Sequence, residues 1–164
     1  MQKVNFKFGQ TAFIVVLLLT MTSGPIANTS LEQSFAAETL QGGERSLYQR
    51  VGGYDALAAV VDDFIGRLLG DKRFEKFFVG HSTDSKKQIR QHILDQFCAA
   101  TGGPCVYRGR DMKTTHAGLG ITEADWDAAA KHLVGSLDKF KVPDKEKGEL
   151  LAFVTSLKKD IVEK

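Results

Sequence analysis

The stretch DMKTTHAGLGIT, residues 111–122, puts a histidine at the end of a short helical run, with Gly118 and Gly120 just beyond it and a strong helix start at Thr122. A run this short does not stand as a helix in water, because fixing the first turn costs more than its few hydrogen bonds contribute. Tertiary contacts or a ligand must hold it. His116 can cap the fraying end, or it can be kept there to grip something. Thr114 and Thr115 precede it and offer hydroxyls or backbone oxygens to the far ring nitrogen, the partner that a metal-bound imidazole usually has.

Both flanks of this stretch read as helix. Downstream, Thr122-Glu123-Ala124-Asp125 resembles a capping box, and the helix behind it carries Trp126, Ala129, Leu133 and Leu137 on its inner face. Pro143-Asp144 opens a last helix whose apolar stripe is Leu150, Phe153, Val154, Leu157 and Ile161. Upstream, Thr83 or Asp84 caps SKKQIRQHILDQFCAA, where Ile89, Ile93 and Phe97 step by four with His92 and Gln96 beside them. The earlier run YDALAAVVDDFIGRLLGD repeats apolar residues at Leu57, Val60, Val61, Phe64, Ile65 and Leu68, one face of a helix. RFEKFFVGHSTD between them reads as a turn region, and its Phe74, Phe77 and Phe78 imply that it covers something buried. No strand of convincing length, repeat or low-complexity segment interrupts this pattern, so the class is all-α.

At 164 residues the chain fits one compact domain plus an appendage. Its 22 basic and 20 acidic residues are spread along the sequence, without the basic stripe that nucleic acid requires, which excludes that partner. The appendage is residues 1–37, where Lys3 and Lys7 precede the apolar run Ala12–Leu19 and the turn-prone TMTSGP. That layout is a secretory signal, or an N-terminal anchor if it stays uncleaved, and membrane contact is expected only in the second case. Ser34-Phe35-Ala36 has the small residues of a cleavage site, and no cysteine follows the run to carry a lipid. A polar linker, 38–45, leads to the folded domain, 46–164. Export, to the periplasm, takes Cys98 and Cys105 into an oxidising compartment. The Gly102-Gly103-Pro104 turn between them can bring the sulfurs together as a disulfide, the other reading being two buried thiols.

Of the four histidines, His132 precedes the core residue Leu133 and reads as a surface or boundary side chain, and His81 sits in a polar turn. His92 flanks Ile93, so its ring either leans over what that face covers or stands in water. SLYQRVGG at 46–53, DDFIGRLLGDKRFEKFF at 62–78, the TGGP turn, Tyr107 and MKTTHAGLGIT at 112–122 together resemble the group I truncated haemoglobins, from Ser46 to about Lys159.

The resemblance implies a truncated globin fold, a two-over-two helical sandwich around haem. It places His116 at the proximal position, where an imidazole nitrogen holds haem iron. It also implies a pocket lined by Phe78, Ile89, Ile93, Phe97, Tyr107, Met112, Ile121 and Trp126. Without a CxxCH motif, haem b is expected to be held noncovalently. On the distal side, many members carry a tyrosine and a glutamine that donate to bound dioxygen. Here those places hold Ile65 and Ile93, with Ile89 at the distal gate, and none of the three can donate. Gln88 or Gln96 becomes the distal donor only if the helix is rotated. His92 falls where some relatives carry a histidine that takes the sixth iron position, with His81 as a weaker substitute. The expected function is reversible binding of a diatomic gas, O2, NO or CO. The alternative is a bis-histidine haem protein for electron transfer or redox sensing, which needs an electron donor. NO dioxygenase or peroxidase-like turnover has no support in these distal residues.

Overall fold

The computed structural model describes residues 45–164; the expected signal or anchor and nearly all of the linker lie outside the described residues. Eight helices follow in order: α1 Leu47–Arg50, α2 Gly53–Gly70, α3 Glu75–Phe78, α4 Thr83–Ala100, α5 Met112–His116, α6 Glu123–Lys139, α7 Asp144–Ser156 and α8 Lys158–Ile161. The described residues contain no strand, and the arrangement is the two-over-two sandwich.

The long helix α2 packs on both α4 and α6, so its apolar stripe is the centre of the core. Leu57, Val60, Val61 and Ile65 on α2 are buried with Leu94, Phe97 and Cys98 on α4, Leu133 and Leu137 on α6, and Leu150 on α7. Burying side chains of this size removes about 1.5–3 kcal/mol each of apolar exposure, the main favourable contribution to the fold. Phe97 meets Phe153 of α7 edge-on, with ring centroids 6.1 Å apart.

Charged groups fix how the helices cross. Asp63 on α2 accepts from Lys139 (2.5 Å) and Ser136 (2.8 Å) on α6 and from Arg67 (2.6 Å) on its own helix. Asp62 is paired with Arg90 of α4, and Arg50 of α1 reaches Glu146 (2.7 Å) and Glu149 (2.9 Å) on α7. At the start of α6 the buried Asp125 carboxylate accepts from Thr122, Arg73 and Lys76.

Three local expectations need correction. Neither Thr83 nor Asp84 caps α4; Ser82 does, its Oγ accepting from Ser85 N at 3.1 Å, so the helix begins one residue earlier in its cap. The aromatic turn contains a helical turn of its own, α3, with Phe74 buried at its head. The last helix is not continuous: α7 ends at Ser156, and Leu157 joins it to α8, which packs on α5. The capping box at Thr122 is present, with Asp125 as the third helical residue.

Cys98 and Cys105 are bonded, with Cα atoms 5.7 Å apart, tying the end of α4 to the segment that leads to α5. The turn between them is tight: a Cβ on Gly103 would lie 2.6 Å from Tyr48 Cδ2 and 2.7 Å from Cys98 Sγ. Closing so short a loop contributes about 2–3 kcal/mol in the chain-entropy description. Reduction is therefore expected to lower the free energy of unfolding by about 2 kcal/mol, read from urea denaturation with and without reductant.

The Lys139 and Arg67 cations, with the Ser136 hydroxyl, hold the Asp63 carboxyl well below the usual carboxylate range. A carboxyl depressed on folding stabilises the fold above its unfolded pKa of about 3.9 and loses that contribution as pH falls toward its folded value. Asp63→Asn is expected to be less stable than the natural chain at pH 7 and to lose less between pH 4 and pH 2.5. Melting temperatures of the two proteins across that range check it.

Candidate functional site

The site is built on α5. Asp111 caps it, one carboxylate oxygen accepting from Thr114 N at 2.8 Å and the other from Thr114 Oγ1 at 2.7 Å. The amide and hydroxyl of Thr114 hold the Asp111 carboxyl below its ordinary pKa, so the cap stays charged at neutral pH. At the other end His116 is half-buried, and its Nδ1 lies 2.8 Å from the carbonyl oxygen of Met112, one turn back in the same helix. A carbonyl only accepts, so Nδ1 carries the proton and the Nε2 lone pair is left free to bind a metal. The sequence pointed to Thr114 and Thr115 as partners of the far ring nitrogen. The Thr114 hydroxyl is instead taken by Asp111, and the Thr115 hydroxyl lies 3.4 Å from the carbonyl of Arg110.

The apolar side chains expected at the site are only partly covered. Phe78 ends α3; Ile89 and Ile93 sit on α4; Met112 opens α5; Ile121 and Trp126 follow it; all six are half-buried. Phe97 is buried in the core, and so is Ile65, whose exposure is 8%. The most exposed large apolar side chains, Val79 (72%) and Val106 (66%), adjoin Phe78 and Tyr107, and Leu119 (43%) lies three residues past His116.

His92 is exposed on α4, its ring edge-on to Tyr107 with centroids 6.2 Å apart. Burial raises the Tyr107 pKa, so its hydroxyl stays protonated and donates to Arg110 O at 2.6 Å. Gln88 is exposed and Gln96 half-buried on the same helix. His81 is exposed beside the cap of α4, and His132 is a boundary side chain bonded to Asp71 at 2.8 Å. An open hollow of about 400 Å3 lined by Glu123, Thr155, Ser156, Lys158, Lys159 and Val162 contains none of these residues.

Among the described residues no group of three or more His, Cys, Asp or Glu side chains could hold a metal ion. An imidazole oriented as in His116 can give one nitrogen to a metal whose other donors are supplied by a macrocycle.

The Bacterial-like globin family model matches residues 46–163. The chain belongs to the bacterial-like globins, as a group 1 truncated haemoglobin. It is 35% identical over 116 residues to the group 1 truncated haemoglobin of Mycolicibacterium paratuberculosis, covering 71% of this chain and 83% of that one. The group 1 truncated haemoglobin of a Nostoc species is also 35% identical, over 119 residues, with 73% and 98% covered. Among solved structures, the Tetrahymena pyriformis truncated haemoglobin in its Fe(III) form superposes with a TM-score of 0.66 at 28% identity, covering 73% of this chain and all of that one. The 2/2 haemoglobin of a Synechococcus species, solved in the cyanomet state with covalently attached haem, gives 0.65 at 29%, with the same coverage. The cofactor of this globin is accordingly haem, with its iron.

Sequence reasoning missed two features of the site. The Asp111 cap was open to it, since an aspartate three residues before Thr114 at a helix start is a recognisable pattern. The Met112 carbonyl was not, because backbone oxygens carry no residue-type signal.

Proposed function

We propose that this globin holds haem b noncovalently through His116 Nε2 and binds a diatomic gas, O2, NO or CO, against an apolar distal side. The observation that carries the reading is the 2.8 Å bond between His116 Nδ1 and Met112 O, which orients the ring and directs its lone pair outward. When bound, haem would supply an iron centre capable of reversible gas binding, and His116 would hold it. Phe78, Met112, Ile121 and Trp126 supply apolar cover for the macrocycle, with Phe97 and Tyr107 on the side of α4. Ile65, Ile89 and Ile93 keep water away from the ligand and give it no hydrogen bond. A polar ligand such as dioxygen is therefore held less firmly than it would be beside a tyrosine or glutamine, which disfavours NO dioxygenation.

The setting proposed for this activity is outside the cytoplasm. The amino-terminal charge and hydropathy pattern supports export, and a bonded cysteine pair suits an oxidising compartment. A second reading rests on His92, whose exposed ring is one residue from Ile93 and anchored by little more than an aromatic edge contact. A side chain so placed can turn toward iron and make a bis-histidine protein that exchanges electrons with a redox partner.

The deciding measurement is the visible spectrum of the reduced, ligand-free protein without oxygen. One broad band, from five-coordinate iron, is expected. Two sharp bands that merge into one in His92→Ala would replace gas binding with the bis-histidine reading. Ile65→Tyr, which adds a donor worth about 0.5–1.5 kcal/mol, is expected to slow oxygen release by up to about tenfold, as followed by stopped-flow mixing.

A further inference from the structure

The segment immediately after His116 is fastened to the far end of the chain. Gly118 N and Gly120 N both point at the side chain of Glu163, donating to one carboxylate oxygen at 2.5 Å and to the other at 2.7 Å. Both glycines have positive φ, 80° and 65°, and this backbone turns the two amides toward a common acceptor. The backbone of the same tail extends the attachment: Glu163 N donates to Ile121 O at 2.9 Å, and Glu123 N donates to Lys164 O at 3.1 Å. Leu119 N donates to the carbonyl of His116 itself at 3.1 Å. Glu163 thus grips the two amides on either side of Leu119, whose own amide bonds the His116 carbonyl.

We infer that Glu163 is a positioning residue for His116: its carboxylate fixes the 118–120 turn, and through that turn the end of α5 and the plane of the imidazole. This rests on the reading of His116 as the iron ligand. The charge matters as well as the length, because an ionised carboxylate offers an acceptor on each oxygen and makes stronger bonds to backbone amides than a neutral group does. Glutamine has the same length and one acceptor oxygen, so it keeps one of the two bonds. Alanine keeps neither. Direct hydrogen-bond partners of a metal-bound histidine are commonly worth roughly ten- to a hundredfold in metal affinity, and Glu163, which acts through the backbone and does not touch the ring, is placed at the bottom of that range.

The test compares Glu163→Ala and Glu163→Gln in the full chain with Arg50→Ala, which breaks the α1–α7 ion pairs and does not touch α5. Three quantities are read: the rate of haem transfer to excess apomyoglobin, amide hydrogen exchange over residues 113–121 in the haem-free chain, and the hyperfine-shifted ring protons of the axial imidazole in the cyanide-bound ferric protein. Glu163→Ala is expected to speed haem loss by roughly tenfold, to accelerate exchange at 117–121 and to move the imidazole resonances. Glu163→Gln should fall between it and the natural chain. Arg50→Ala should leave those resonances in place at an equal loss of melting temperature. The inference is overturned if the Glu163 variants differ from Arg50→Ala in none of the three readings, and Glu163→Gln decides alone if the alanine variant does not fold. The ligand assignment is checked separately by His116→Gly supplemented with imidazole. Axial histidine resonances that survive in that variant would remove His116 as the ligand, and this inference with it.

Discussion

A helix of five residues cannot hold its own shape, and the end of α5 is where His116 stands, the histidine proposed to hold iron. Each neighbouring feature meets that constraint from a different side. Asp111 closes the amino end, and the Met112 carbonyl fixes the ring within the helix. Helix α8 packs alongside, and residues 163–164 fasten the chain that leaves α5. The Cys98–Cys105 bond ties the chain that enters it to α4. Little of the order at His116 is intrinsic to its own sequence.

The rest of the domain is a rigid support for this weak point. Helix α2 buries its apolar face between α4 and α6, and Asp63 pins it to α6 with two contacts on that helix. On α4, Ile93 packs half-buried against this core, and Ile89, one turn earlier, is half-buried as well.

What could be read from the sequence was what is local. The α2 stripe at Leu57, Val60, Val61 and Ile65 follows helical periodicity, and the Thr122–Asp125 box lies within four residues. The break at Leu157 was hidden, because the apolar spacing from Leu150 to Ile161 continues through it while α8 turns aside to pack on α5. Ser82 was passed over for two neighbours with equally good capping side chains, a choice that backbone geometry makes and composition does not. At the site, His116 stood out by its setting between a short run and two glycines, but Glu163 did not. A carboxylate 45 residues from Gly118, in a charged tail, has no local pattern to distinguish it from a solvated side chain.

That same separation bears on how the protein is made. Gly118 is synthesised 45 residues before Glu163, so α5 receives its cap before the tail that fastens it. Haem capture at a settled His116 is then a late event, following synthesis of the tail. Under the export proposed above, cysteine pairing, closure of the tail and haem loading would all follow translocation.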